Sequence, residues 1–251
     1  MRNILLSIII FIFNQSCLFS QSKPVENLKK YDFYIETRSY EGNWIRKYFL
    51  KNGVVQQYQD IHNEQGLTNE YIYTYNDKND IFQEQYIGNI GFENQFRMEI
   101  EHELKYEGKI LIQEKDNLGW IKNYSDFNKL NRPKIIKTYG EDKDFYSIKK
   151  LTYDEFGNIS VSIEEKIYED KSKINEIEII SYKYDKFNNI KELHREYKPE
   201  KEFPIIMIGG INLYKNEYYE YKYNTENLWI KKSLCLNKDG KEIIYWTRKY
   251  K

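Results

Sequence analysis

Polar and apolar residues alternate one by one along much of the chain. Over residues 219–223 aromatic side chains alternate with charged ones, and over residues 159–164 Ile and Val alternate with Ser and Glu. A period of two points successive side chains to opposite faces and is typical of strands with one buried face. After residue 22 no comparable stretch keeps the 3.6-residue period of a helix for long. The pattern therefore predicts an all-β protein.

Four segments share one turn-like pattern, in which a Tyr precedes an Asp or Asn and an Asn or Gly follows three residues later. They are Tyr75–Ile81, Tyr153–Ile159, Tyr184–Ile190 and Tyr223–Trp229. Asp or Asn at the first position of a type I turn caps the turn with its side chain, and Gly or Asn at the fourth tolerates positive φ. Each segment therefore predicts a hairpin, with positive φ at Asn79, Gly157, Asn188 and Asn227.

Other hairpin turns are indicated at Asn52-Gly53 and Asp239-Gly240, where Gly can take positive φ, and more weakly at Glu107-Gly108. Turn residues also directly precede a Trp at Gly42-Asn43-Trp44 and Gly119-Trp120. Together the turns predict about six to eight hairpins. The absence of Ala and the presence of 25 Tyr agree with strands, since Ala favours helices and Tyr favours strands. A genome rich in A and T is the alternative cause of this composition.

The repeated strings resemble the YD repeats of Rhs-type proteins. Thr152–Ile159 and Tyr182–Ile190 are the best matches, and Tyr221–Lys232 is similar to small secreted YD-repeat proteins of the Bacteroidetes type. The resemblance covers residues 150–250 well and 40–125 weakly, and Asn replaces the Gly of the motif in three of the four segments. It implies an antiparallel meander of repeated hairpins that forms a curved or spiralling sheet. The chain is far too short to form the cargo-enclosing shell of long Rhs arrays, and the fold does not determine the function.

The first 22 residues have the layout of a secretory signal peptide. Arg2 precedes the apolar run Ile4–Phe13, and the small residues of Ser20-Gln21-Ser22 end the segment. The run is shorter than the ~20 residues that a membrane span needs. We therefore expect a signal peptide over 1–22, a single β-repeat domain over 23–251, and export to the periplasm, the outer membrane surface or the medium. A lipid anchor at Cys17 is a disfavoured alternative, because polar Asn14 stands where a lipoprotein signal has an apolar residue.

Charge and cysteine content exclude several classes of protein. The 39 basic and 39 acidic residues balance, which argues against a strongly basic nucleic-acid binder. Removal of the signal peptide leaves Cys235 as the one cysteine of the mature chain, so packing rather than an internal disulfide has to stabilise it. Cys235 lies between Leu234 and Leu236 and is interpreted as a small buried hydrophobic residue.

The sequence contains no recognisable catalytic or metal-binding motif. His102 shares a strand face with Ile100 and Leu104, which indicates a packed histidine, while His62 and His194 lack the spacing of metal ligands. The adjacent Glu164 and Glu165 point to opposite strand faces and cannot act as a glycosidase pair. Other carboxylates, at Asp142, Asp144, Glu169 and Asp170, are interpreted as solvated side chains. We assign no catalytic residue, metal ligand or cofactor.

Two further features have a structural and a functional interpretation. The apolar segment Phe203–Leu213 is either a buried strand or inserted loop, or an exposed contact for a partner. The many Tyr and Trp side chains either pair across strands, which we favour, or form a surface that stacks on sugar rings.

The expected function is that of an exported, non-catalytic scaffold or binding module of the cell envelope, whose ligand is a glycan or an envelope protein. An accessory or immunity-like protein of a polymorphic toxin system is one alternative, and a hydrolase with an unrecognised site is another. An exposed aromatic groove would favour sugar binding, whereas two converging carboxylates or a His–carboxylate pair in a cleft would favour the hydrolase.

Overall fold

The fold is almost entirely β-strand. The computed structural model describes residues 26–39, 44–140, 144–207 and 211–251. Within these ranges there are sixteen strands, and the one helical segment is a short 3-10 turn, Glu26–Leu28. None of the described residues belongs to a helix long and apolar enough to cross a membrane. The predicted signal peptide over 1–22, with Cys17, and Asp142 lie outside the described residues.

The strands are numbered in chain order. They are β1 Phe33–Arg38, β2 Trp44–Lys51, β3 Val54–His62, β4 Gly66–Tyr75, β5 Ile81–Gly88, β6 Phe96–Glu107, β7 Ile110–Asp116, β8 Trp120–Phe127, β9 Pro133–Gly140, β10 Phe145–Tyr153, β11 Ile159–Tyr168, β12 Glu176–Tyr184, β13 Ile190–Lys198, β14 Asn216–Tyr223, β15 Trp229–Cys235 and β16 Glu242–Tyr250.

Each strand pairs antiparallel with the next strand along the chain, which confirms the predicted all-β antiparallel meander. In addition, β16 returns to pair with β1, so that the order of hydrogen-bonded strands closes on itself. The Lys251 N–H donates to Phe33 O at 2.9 Å, and the Ser39 N–H donates to Tyr245 O at 2.9 Å. Neither terminal strand is therefore left with an unpaired edge.

The strands form two compact units. The first contains residues 26–36, 44–101 and 249–251, and the second contains residues 37–39, 102–140, 144–207 and 211–248. Because β1, β6 and β16 each contribute residues to both units, neither unit is a continuous piece of chain. The single domain expected over residues 23–251 stays a prediction.

The predicted turns are confirmed at all four repeat segments. Asn79, Gly157, Asn188 and Asn227 have φ of 63°, 83°, 62° and 61°. The Asx side chain caps each turn as expected: the Oδ1 of Asp154 accepts from the Asn158 N–H at 2.7 Å, and that of Asp185 accepts from the Asn189 N–H at 3.0 Å. Local turn chemistry therefore determines where the chain reverses.

The same turn also occurs without the preceding Tyr. Asn128 caps a turn that ends at Asn131 with φ of 57°, and Asp116 caps one that ends at Gly119 with φ of 83°. The turns expected at Asn52-Gly53 and Gly108 have positive φ, whereas the left-handed site expected at Gly240 is wrong. The Gly240 N–H closes an ordinary turn onto Asn237 O, and a Cβ on Gly240 would make a tight contact with that oxygen at 3.0 Å.

Tyrosine hydroxyls connect successive turns at one end of the sheet. In the second unit Tyr153, Tyr184 and Tyr221 each donate to the carbonyl of a strand's first residue just after an earlier turn, at 2.6–2.9 Å; the acceptors are Pro133, Ile159 and Ile190. In the first unit Tyr75 donates in the same way to Val55 O at 2.7 Å. The repeat Tyr therefore ties the hairpin to its predecessor in three of the four segments, and in the fourth the tie is made by Tyr221, two residues before the repeat Tyr.

In the first unit, tyrosines from five consecutive strands pack ring against ring. Neighbouring ring centroids lie 4.2–5.5 Å apart along the row Tyr34, Tyr48, Tyr58, Tyr71 and Tyr86. Two of these pairs are stacked nearly parallel, so each ring covers a face of its neighbour. The cross-strand pairing that we favoured for the aromatic residues is thus confirmed in this row.

In the described part of the second unit, the buried side chains include about as many polar as apolar ones. In β11 the face that carries Ser162 is more buried than the face that carries Ile163, because Ser162 is 6% exposed whereas Ile163 is 36% exposed. Other polar side chains buried in this unit are Glu114, Ser147, Arg195, Glu217 and Ser233. The buried apolar residues of this unit include Leu151, Leu193, Leu228, Leu234 and Trp246, together with Cys235, which is buried as predicted and whose thiol pKa is raised by that burial.

Gly157→Val is expected to destabilise the protein by about 2–4 kcal/mol. The residue has φ of 83°, and a Cβ there would lie 2.8 Å from Arg132 Nη1 and 2.9 Å from Leu130 Cδ1. Glu155→Val, at an exposed position of the same turn, should change the stability by no more than about 0.5 kcal/mol. Urea unfolding midpoints test the pair, and equal midpoints would contradict the turn assignment.

Candidate functional site

An open cavity of about 190 Å³ lies on the exposed face of β12, β13 and β14, within the second unit. It forms where β14 begins, beside the segment that separates β13 from β14 and interrupts the repeat spacing. Antiparallel register sets two rows of side chains across it: Lys183, Glu192 and Tyr218, then Ser181, His194 and Asn216. We call this site the β13 cavity.

Charges and hydrogen bonds in the β13 cavity are balanced. Lys183 Nζ lies 2.8 Å from Glu192 Oε2, and Lys238 Nζ lies 3.7 Å from the other carboxylate oxygen. The Lys183–Glu192 hydrogen bond raises the pKa of the Lys183 ammonium and lowers the pKa of the Glu192 carboxyl. The cavity therefore carries no large net charge of either sign.

The β13 cavity contains a His–carboxylate pair, which was one criterion for a hydrolase. His194 Nε2 lies 3.0 Å from Glu196 Oε1, and its Nδ1 lies 2.6 Å from Asn216 Oδ1. A general base needs a ring nitrogen directed at the hydroxyl that it deprotonates. Although Ser181 lies opposite His194 in the register, both ring nitrogens of His194 are directed at other oxygens. This arrangement favours binding over general-base catalysis.

His102 is packed, as predicted, inside a polar cluster of the second unit. Its Nδ1 lies 3.0 Å from Glu114 Oε1, which also lies 3.0 Å from Lys122 Nζ, and the Tyr124 hydroxyl donates to Glu114 Oε2 at 2.8 Å. Burial raises the pKa of Glu114, but the His102 hydrogen bond and the Lys122 charge outweigh it and hold the pKa well below its usual range. Since the cluster is buried, its role is structural.

The other predicted residues are dispersed. In the first unit His62 contacts the Trp44 ring, with centroids 5.1 Å apart. In the second unit Glu164 lies 2.5 Å from Lys149 Nζ, while Asp144 pairs with Lys173 at 2.5 Å. No group of three or more His, Cys, Asp or Glu residues that could hold a metal ion was found among the residues that the structure describes.

The apolar segment Phe203–Leu213 is an inserted loop rather than a regular strand. Ile205 and Leu213 exchange backbone hydrogen bonds of 2.9 Å, and the Phe203 ring lies 5.9 Å from that of Tyr197. Ile206 is 79% exposed, and residues 208–210 lie outside the described residues. The loop interpretation is thus confirmed for the described part of the segment.

Sequence reasoning missed the β13 cavity because its residues come from three strands. His194 and Asn216 are 22 residues apart, and the loop between them hides their register. Two features point to the cavity. The repeat spacing is interrupted after β13, and exposed and buried residues alternate along β13 from Glu192 to Glu196.

Comparisons with known proteins give no family. No protein-family model matches the sequence, and no curated protein matches it significantly. Among solved structures, porin-like proteins of Bacteroides vulgatus and Bacteroides uniformis are 9% and 8% identical, with TM-scores of 0.40 and 0.38, and each match covers 88% of this chain and 98% of the other. The Tc holotoxin pore of Photorhabdus luminescens is 16% identical with a TM-score of 0.34; 80% of this chain is covered but only 9% of the toxin chain. We therefore argue the function from the side chains alone.

Proposed function

We propose that this protein is an exported, non-catalytic β-repeat module of the cell envelope that binds a glycan. The observation that carries the proposal is the β13 cavity, where His194 of β13 and Asn216 and Tyr218 of β14 are displayed on two hydrogen-bonded strands. Binding groups held on strands are positioned more precisely than groups on loops. The repeat Tyr and Asx residues have structural roles in the turns, which is consistent with a scaffold.

A glycan suits the β13 cavity better than a folded protein partner. A stable protein interface buries about 800 Å² and roughly 20–30 residues on each partner, whereas seven residues line the cavity. The balanced charges, the Asn216 amide and the Tyr218 ring match a neutral ligand that is rich in hydroxyl groups. The signal-like segment over residues 1–22 supports export, where such ligands are abundant.

The test uses protein that cells export after expression of the full chain. N-terminal sequencing should find a first residue near position 23, and the protein should be retained on at least one of immobilised cellulose, chitin, mannan and peptidoglycan. Retention on none of them would contradict the glycan-binding proposal. Release of soluble reducing sugar would contradict its non-catalytic part and favour a hydrolase, and an intact N-terminus on cell-retained protein would contradict export.

A further inference from the structure

We infer that the β13 cavity binds one neutral hexopyranose ring, with Tyr218 packing against the ring and with Asn216 and Glu192 hydrogen-bonding its hydroxyls. The inference rests on the proposed function and adds the binding site and the class of sugar. Four properties of the cavity support it: its dimensions, its charge, its hydrogen-bonding groups and its rigidity.

The dimensions suit one sugar ring. Three neighbouring strands about 4.8 Å apart give a width of about 10 Å, and two residues along a strand give a length of about 7 Å. The volume of about 190 Å³ is below the ~300–1,000 Å³ of pockets that enclose larger ligands. An open cavity of this size lets one ring sit on the sheet while the rest of a polysaccharide extends into solvent.

The charge indicates a neutral sugar. Lys183 is paired with Glu192 at 2.8 Å, and Lys238 lies on the far side of the same carboxylate at 3.7 Å. A sulfated, phosphorylated or uronic sugar would have to compete with Glu192 for these ammonium groups. A neutral ring requires no such exchange and leaves the ion pairs intact.

The hydrogen-bonding groups match hydroxyls, which both donate and accept. The Glu192 carboxylate accepts, and the Asn216 amide offers a donor and an acceptor in one plane, as two adjacent hydroxyls require. The Nδ1 of His194, 2.6 Å from Asn216 Oδ1, holds the Asn216 amide in place. Tyr218 lies in the other row, beside Glu192 in the register, where its ring can pack on the C–H face of a sugar.

The buried face behind the cavity holds β13 and β14 together. The Arg195 N–H donates to Lys215 O at 2.8 Å, Arg195 Nη1 donates to Tyr214 O at 3.1 Å, and the Arg195 guanidinium pairs with the Glu217 carboxylate. These bonds fix the strands that carry His194 and Asn216 before any ligand arrives. Such preorganisation lowers the entropy cost of binding.

The experiment titrates the exported protein with methyl α- and β-hexopyranosides by NMR, with methyl glucuronide as the anionic comparison. Tyr218→Ala and Asn216→Ala should each weaken binding of the preferred glycoside by about tenfold or more, while Tyr218→Phe should keep most of the affinity. Tyr245→Ala is the matched control, because Tyr245 is a 40% exposed tyrosine on β16, outside the cavity lining. Circular dichroism confirms that each variant is folded.

The outcomes separate the inference from the proposed function. If the protein is retained on a polysaccharide but Tyr218→Ala and Asn216→Ala bind as the wild type does, the β13 cavity is not the sugar site and the inference is wrong. The inference is also wrong if the protein binds polysaccharide but no methyl glycoside, or if it prefers the glucuronide. Failure to bind polysaccharides and glycosides alike would overturn the proposed function as well.

Discussion

Replacement of Glu217 by alanine is expected to destabilise the protein by about 3–5 kcal/mol. Glu217 and Arg195 are 4% and 9% exposed and form an ion pair. Glu217 also accepts from the Tyr219 hydroxyl at 2.5 Å and from the Tyr214 N–H at 3.3 Å. Its removal leaves the Arg195 guanidinium buried without its carboxylate, and the cost of dehydrating a charge is then no longer offset.

Urea unfolding at neutral pH measures this effect. Glu196→Ala is the control on the neighbouring strand, because Glu196 is exposed and its loss should cost no more than about 0.5 kcal/mol. The double variant Arg195→Met/Glu217→Leu should recover much of the lost stability, since it removes both charges. Equal unfolding free energies for Glu217→Ala and Glu196→Ala would show that the pair does not act as a buried unit.

The second large effect is expected at alkaline pH, where the protein should unfold cooperatively above about pH 10. Burial raises the pKa of several tyrosines above the ordinary value of 10.0, among them Tyr58, Tyr71, Tyr73, Tyr182, Tyr219 and Tyr221. A raised pKa means that the unfolded chain loses its phenolic protons first. The stabilisation is therefore complete below pH 10 and is lost as the pH rises toward the folded-state values.

The size of the alkaline effect follows from the number of rings. Each such tyrosine lowers the free energy of unfolding by up to about 1.4 kcal/mol for every pH unit above its ordinary pKa. Within about two pH units, the summed loss from several tyrosines exceeds the ~5–15 kcal/mol by which a typical domain is stable.

Tyrosinate absorbance and far-ultraviolet circular dichroism should consequently change together in one steep transition. Tyr71→Phe, which keeps the ring but removes one titrating hydroxyl, should make that transition less steep. Gradual ionisation of all the tyrosines with the circular dichroism unchanged would contradict the prediction.

The turns could be predicted from the sequence because their physics is local. Asp154 and Gly157 lie within one four-residue turn, and an Asx cap and a positive φ leave a direct mark on residue choice. The turn at Asn128 has the same chemistry but does not match the repeat pattern, because Phe127 rather than Tyr precedes the Asx residue.

The polar buried face could not be predicted from alternation. A period of two separates the faces of a strand without saying which face packs inward, and in β11 the serine face is the more buried one. The pairing of β16 with β1 left no local signal either, because Ser39 and Tyr245 are 206 residues apart. The β13 cavity was missed for the same reason, since its geometry depends on register across an inserted loop.

The tyrosine ties and the long connection between β13 and β14 lie at opposite ends of the strands. Partners in these ties are 20, 20, 25 and 31 residues apart, and yet the hydroxyl reaches a carbonyl just beyond an earlier turn each time. Extra residues accumulate at the opposite end, as in the excursion between β13 and β14. In the second unit the connections at that end can therefore change in length while the tyrosine ties keep the hairpins in register.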